Sequence, residues 1–243
     1  MNNLGGKVSI LIPTYNEEGI IGRAIEEIRN VMPNSEIIVV DDGSMDQTVR
    51  EARRFERGKV KVIPLTHRGK GSAIKKAIEI ASGEVMVQID ADLQFPPKYI
   101  SRLIEPILEE RADIVFGSRY LKSSHIEEGS VSLVKRIASY VVALSVSVIC
   151  RRRLTDVFAG FKAWKTKAIR DIDFQEEGFA YEVEIAIKAH RLGYAVVEVP
   201  TDYRKRTTGI SKIKFFVHAF EIPFRLLCLL LFKKGKLQGA KKV

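Results

Sequence analysis

Five short runs in the first half of the chain, VSILI, EIIVV, VKVIPL, VMVQI and DIVF, are apolar at nearly every position, not at alternate ones. Strands of that kind are buried on both faces. Between them lie segments of helical period: Ile20, Ile21, Ala24, Ile25 and Ile28, then AIKKAIEIA, then YISRLIEPILEE, with a polar helix expected from about Asp46. Two-faced strands alternating with helices predict a doubly wound α/β architecture for residues 1–120, with a mainly parallel sheet flanked by helices. The chain has 243 residues, 46% of them hydrophobic, which is enough to fill one large core.

Beyond Tyr120 the pattern weakens. LKSSHIEEGS reads as a mobile loop, Ile137 to Cys150 as an apolar helix, AYEVEIAIKAHRLG as an amphipathic helix and AVVEV as a final strand, with LTDVFAGFKAW left unassigned. No internal repeat or low-complexity linker is present. A soft boundary near Thr208 divides a domain of residues 1–208 from a tail of residues 209–243.

The net charge of +10 is unevenly placed. Residues 1–200 carry 29 basic and 28 acidic side chains, whereas residues 201–243 carry 11 basic and two acidic ones, Asp202 and Glu221. Because that tail is interleaved with FFVHAFEIPFRLLCLLLF, it points to an anionic membrane surface and not to nucleic acid. Phe215 to Phe232 is interrupted by His218, Glu221, Pro223 and Arg225, too broken for the roughly 20 apolar residues of a span, so interfacial amphipathic helices are expected there. Ile137 to Cys150, flanked by Lys135, Arg136 and Arg151 to Arg153, reads as a core helix or a second interfacial one. The N-terminal segment, broken by Pro13, does not read as a signal peptide. Cys150 and Cys228 have no metal-ligand spacing, and a reducing cytosol suits them. Peripheral attachment to the cytoplasmic face of a membrane is the expected location.

In doubly wound sheets ligands gather beyond the carboxyl ends of the strands. PTYNEE, DDGSMDQT, DADLQ and GSRY all follow strands. Asp41 and Asp42 are adjacent carboxylates that need donors such as a base amide or ribose hydroxyls, while Ser44 or Asp46 can cap the next helix. Asp90 and Asp92, one residue apart after a buried strand, suit Mg²⁺ or Mn²⁺ bridging to diphosphate oxygens. HRGKGSA fails both nucleotide fingerprints: Pro64 stands where a P-loop needs glycine, and Ile74 where the dinucleotide motif needs a small residue. Gly69 and Gly71 allow either close approach to a ligand beside Lys70 or an ordinary helix entry.

PTYNE, DDGS, GKG, DADLQ with PP, GSRY, D-x-x-x-G-F-K at Asp156 to Lys162 and R-x-x-G-x-S-K at Arg206 to Lys212 occur in one order along residues 7–212. In that order the set resembles family 2 glycosyltransferases of the GT-A fold, in particular the dolichyl- and polyprenyl-phosphate mannose synthase group. The resemblance implies a nucleoside pocket of Pro13, Tyr15, Glu17 and Asp42, with Lys70, Asp90 and Ala91 also against the donor. It implies a metal and diphosphate site of Asp90, Asp92 and Gln94. Arg119, Arg206 and Lys212 resemble the basic set facing donor and acceptor phosphates, and with Asp92 they form the implied catalytic group. Lys162 stands where the family usually has arginine, and this sequence shows no counterpart of the transmembrane helices many members carry.

The implied reaction is inverting transfer of a hexose, mannose from GDP-mannose, to dolichyl or polyprenyl phosphate. A phosphate acceptor is already an anionic nucleophile and needs no general base. A UDP-glucose or UDP-N-acetylglucosamine donor is the alternative within the family; a non-catalytic, nucleotide-sensing membrane module is the alternative outside it.

Overall fold

The computed structural model of the chain describes residues 8–207. The expectations for the tail and for Lys212 lie outside the described residues. Seven strands, β1 (Val8–Thr14), β2 (Glu36–Asp41), β3 (Val60–Pro64), β4 (Val85–Gln88), β5 (Ile114–Ser118), β6 (Lys162–Lys165) and β7 (Val196–Pro200), form one sheet in the order β3-β2-β1-β4-β6-β5-β7. Pairs β1 with β2, β1 with β4, β2 with β3 and β5 with β7 are parallel, while β6 runs antiparallel to both β4 and β5. The sheet is therefore mixed but mainly parallel, and β1 is buried along its whole length.

The helices are α1 (Ile21–Val31), α2 (Thr48–Arg53), α3 (Lys70–Ile80), α4 (Ile100–Leu108), α5 (Leu133–Cys150), α6 (Thr166–Ile172) and α7 (Tyr181–Arg191). One face of the sheet, through Ile10, Ile12, Ile37, Val39, Val87 and Val115, packs on Ile21, Ile25 and Ile28 of α1 and Leu103, Ile104 and Ile107 of α4. On the other face α3 lies against β1 and β2, and α6 and α7 continue the layer. Each fully buried Ile or Leu here contributes about 2 kcal/mol by area removed from water.

Three features differ from the sequence reading. LTDVFAGFKAW contains β6, a four-residue strand whose Lys162 is fully buried, so neither alternation nor an apolar run marked it. TKAIRDI forms α6, which had not been assigned. The apolar helix α5 starts at Leu133, because the Ser132 side chain accepts a hydrogen bond from the Lys135 backbone N–H at its first turn. It thereby reaches 18 residues with mean hydropathy 1.8, long and apolar enough to cross a membrane by length and composition. It is not a core helix: it buries Val142, Ala143, Val146 and Cys150 but exposes Leu133, Ile137, Tyr140, Val141, Leu144 and Val148.

Candidate active site

The crevice opens where the chain, having placed β2 and β3 on one side of β1, places β4 on the other. Pro13 lies in this central strand at no cost in hydrogen bonds. The pairing of β1 with β4 runs only from Val8 to Leu11, with Ile89 N–H to the Leu11 carbonyl as the next bond, so the ring faces the point where the strands part.

Around the β1 and β2 ends, Tyr15 stacks on His67 with centroids 4.5 Å apart. Asn16, at φ 50°, donates its N–H to Ser44 Oγ at 2.7 Å and accepts from Met45 N at 2.8 Å, tying the two strand ends together. Glu17 is buried, its N–H on Thr48 Oγ1 at 2.8 Å. The Asp41 carboxylate accepts from Ser44 N at 2.9 Å, and Asp46 accepts from Thr48 N at 3.0 Å, so both serve the local turn. Asp42 accepts from the backbone N–H groups of Arg68 (2.9 Å) and Gly69 (2.9 Å), and His67 Nδ1 lies 2.9 Å from it. The donors that its negative charge requires thus include the 67–69 loop itself.

The glycines of that loop have a physical reason different from the ligand approach considered above. A Cβ on Gly69 would lie 2.5 Å from the Glu177 carbonyl oxygen, and one on Gly71 would lie 2.3 Å from that of Glu176. They admit the chain's own 176–178 backbone, which leads into α7.

At the β4 end, Asp90 and Asp92 each face a cationic side chain. Lys70 Nζ is 2.8 Å from Asp90 and 3.3 Å from Glu182 of α7. Arg206 reaches Asp92 at 2.6 Å and Glu17 at 3.3 Å, joining the turn after β4 to the pocket at β1. Burial pushes the Asp90 carboxyl up to about 6, with Lys70 opposing the rise and Asp92 adding to it. Burial alone would depress the Lys70 ammonium, but Asp90, Tyr181 and Glu182 outweigh it and hold it well above its usual range. Ala91 is buried between the two aspartates. Gln94 is buried with both ends engaged: Nε2 donates to the Arg204 carbonyl at 3.0 Å and Oε1 accepts from Tyr203 at 2.9 Å.

Arg119 lies beyond the β5 end. Asp156, fully buried, grips it with a two-bond fork, 2.6 Å to Nε and 2.8 Å to Nη2, and also accepts its backbone N–H at 3.1 Å. Burial would lower its pKa, but Asp156 more than compensates and raises it further. The guanidinium lies over the Tyr203 ring, 4.9 Å from its centroid. Arg119, Tyr120, Leu121, Ser124, Ile126 and Arg136 line a cavity of about 280 Å³, and Lys135 stands close enough to Arg206 for that charge, after burial, to lower its pKa.

Sequence reasoning quoted Asp156, Gly160 and Lys162 inside a motif without giving them a role, named Lys135 and Arg136 only as charges flanking an apolar helix, and missed Glu182. Lys162 is fully buried and bonds Glu182 and the Ala159 carbonyl. Burial lowers its pKa, with Glu182 opposing; burial likewise raises that of Glu182, but Lys162 and Lys70 outweigh it and hold it low. The one available signal was the GFK tripeptide, a lysine inside an otherwise apolar segment.

The two carboxylates fit a hard divalent cation. The Asp90 carboxylate fills the space a Cβ would take at Gly160, 2.0 Å away, and among the described residues no group of three or more His, Cys, Asp or Glu is arranged to hold a metal ion by itself. A cation held by two carboxylates leaves coordination positions for phosphate oxygens, the way Mg²⁺ is usually bound.

A strand-end crevice with an aspartate pair, beside a pocket built from the β1 and β2 ends, is where doubly wound α/β folds gather their ligands. The chain matches the Glycosyl transferase family 2 domain over residues 9–155 and belongs to that family. It is 38% identical over 215 residues to the dolichol-phosphate mannosyltransferase of Pyrococcus furiosus, covering 86% of this chain and 59% of that protein, so it spans about three fifths of that relative. It is 31% identical to the undecaprenyl-phosphate mannosyltransferase of Micrococcus luteus, covering 85% of this chain and 87% of the relative. Among solved structures, glucosyl-3-phosphoglycerate synthase from Mycobacterium tuberculosis in complex with Mn²⁺, UDP and phosphoglyceric acid superposes with a TM-score of 0.73 at 22% identity, over 92% of this chain and 78% of that one, and shares the fold.

Proposed function

We propose that the chain transfers a hexose, mannose from GDP-mannose, to dolichyl or another polyprenyl phosphate with inversion at the anomeric carbon. The observation that carries this reading is a second cationic site. Arg119 and Arg136 line a cavity beyond the β5 end, and Lys135, next to Arg136, feels the charge of Arg206, which is itself paired with Asp92. One diphosphate neutralised by a metal does not need that much further charge, whereas an incoming phosphate does. The names of the two mannosyltransferase relatives support the sugar and the lipid phosphate.

In this reading Pro13, Tyr15, Glu17 and Asp42 form the nucleoside pocket, and Asp90 and Asp92 hold Mg²⁺ or Mn²⁺ against the diphosphate, with Lys70 and Ala91 beside it. When bound, the cation supplies charge neutralisation to the departing nucleotide. Gln94 shapes the turn through Tyr203 and Arg204, and Oε1 is the atom it would offer a metal. Asp156 holds the Arg119 fork facing the acceptor cavity, so the arginine is oriented before the acceptor arrives. Arg206 offsets repulsion between the two phosphate-bearing substrates. No general base is assigned, since phosphate is already ionised.

The acceptor's apolar chain calls for a membrane. The exposed stripe of α5 carries Lys135 and Arg136 in its first turn, where Arg136 also lines the cavity, and is followed by Arg151 to Arg153. This arrangement supports peripheral attachment at the cytoplasmic face, with basic groups on anionic lipid, each worth about 1 kcal/mol. The test offers GDP-mannose, UDP-glucose and UDP-N-acetylglucosamine, each with a short polyprenyl phosphate or the matching free alcohol. The proposal expects a lipid-linked sugar from GDP-mannose and only with the phosphate; transfer to the alcohol at an equal rate contradicts it.

A further inference from the structure

Lys162, Glu182, Lys70 and Asp90 form a continuous chain of two ammonium groups and two carboxylates running from β6, through α7 and the start of α3, to the turn after β4. Lys162 and Glu182 are fully buried, and the Lys70 side chain is 15% exposed. Simple charge pairing explains Lys162 with Glu182. It does not explain why Lys70 is shared between Glu182 and Asp90, the residue that the proposed function gives to a divalent cation. An ammonium 2.8 Å from a carboxylate and a divalent cation on that same carboxylate repel each other strongly at this degree of burial. One must yield. Lys70 has a second carboxylate within 3.3 Å, so it can yield without crossing into water or losing its partner.

We propose that Lys70 is an internal counter-ion of the cation seat, holding Asp90 in the empty protein and passing to Glu182 when a divalent cation binds. Glu182 is then a positioning residue for the site, although it touches neither the cation nor the nucleotide. The handover keeps each ammonium beside a carboxylate at both stages, and Lys70 remains beside the diphosphate as a further positive charge. The 176–178 segment that enters α7 packs on the backbone of Gly69 and Gly71, which fixes Glu182 relative to the helix carrying Lys70. The inference rests on the divalent-cation reading of Asp90 and Asp92.

The experiment titrates the full chain with Mn²⁺ alone, with free Mn²⁺ read by electron paramagnetic resonance, for wild type, Lys70→Met, Glu182→Gln and the double variant, each checked for folding by circular dichroism. Lys70→Met removes the competing charge and is expected to tighten Mn²⁺ on the order of tenfold. Glu182→Gln leaves Lys70 with Asp90 as its sole carboxylate and is expected to weaken Mn²⁺, an effect that falls below about twofold once Lys70 is already Met. A structural role alone does not produce that coupling. If Glu182→Gln does not fold because Lys162 loses its partner, Lys70→Met and Lys70→Gln against wild type carry the test. Unchanged or weaker Mn²⁺ binding in the Lys70 variants, or equal effects of Glu182→Gln in both backgrounds, overturns the counter-ion role while leaving the metal site standing. Absence of Mn²⁺ binding to every protein, with and without nucleoside diphosphate, overturns both.

Discussion

Gly160→Ala adds one methyl group and tests whether the position of Asp90 matters to function. The new Cβ would sit 2.0 Å from Asp90 Oδ2, 2.5 Å from Cγ and 2.7 Å from Oδ1, whereas real contacts of this kind begin at 3.0 Å. The carboxylate must therefore retreat by about 1 Å, because Gly160 lies on a buried segment just before β6. A misplacement of about 1 Å in a positioned group costs on the order of 100-fold in rate, or about 2.7 kcal/mol of transition-state stabilisation. Overpacking costs stability as well, about 1–3 kcal/mol, which a folded protein of this size tolerates. The assay measures kcat for sugar transfer with saturating Mn²⁺, alongside the thermal midpoint. The expected result is a rate loss of about 100-fold with a protein still folded at the assay temperature. A variant within twofold of wild-type kcat would refute the argument that Asp90 must occupy this place.

Asp156→Asn leaves the buried Arg119 guanidinium without its countercharge and is expected to cost about 3 kcal/mol, a Tm fall of roughly 6–12 °C by calorimetry, together with acceptor turnover. Arg206→Ala should lower transfer to polyprenyl phosphate about 100-fold while nucleotide affinity, read by calorimetric titration, changes far less. Glu36 supplies a pH prediction. Burial would raise its pKa, but hydrogen bonds from Lys61, the Ser82 N–H, Ser9 and the Ser82 hydroxyl outweigh burial and lower it from 4.5 to about 2. Its contribution, about 2 kcal/mol after discounting for partial exposure, is full above pH 4.5 and lost as pH falls toward 2. Urea denaturation of Glu36→Gln should show a flatter loss of stability across that window than wild type.

The strands β1 to β5 and the clusters beyond them were legible because two-faced burial and helical period are local properties. The turns they lead into also came from single segments: PTYNE, DDGS and DADLQ each fold beside their own strand. What remained hidden is long-range charge pairing. Glu182 and Glu184 in AYEVEIAIKAHRLG occupy what reads as a polar face, yet both are about 1% exposed. Glu184 is buried because its carboxylate accepts from the Gln175 and Glu176 backbone N–H groups at 2.9 Å; Glu182 is buried because two lysines from elsewhere reach it. Lys162 misled the strand reading for the same reason. The glycines of HRGKG suggested the close approach of a ligand, whereas the backbone that approaches them is the chain's own residues 176–178, for which there was no local signal.

The central claim is that phosphate, and not a hydroxyl group, attacks the donor sugar. Incubating the full chain with GDP-mannose, Mn²⁺ and a short polyprenyl phosphate labelled with ¹⁸O in its non-bridging phosphate oxygens, then locating the label by mass spectrometry, tests it most directly. The account predicts a mannosyl lipid in which a labelled oxygen bridges phosphorus and the anomeric carbon, with the anomeric configuration inverted. A product lacking label in that bridge, or GDP release with the mannose appearing on water or on an alcohol, would contradict it.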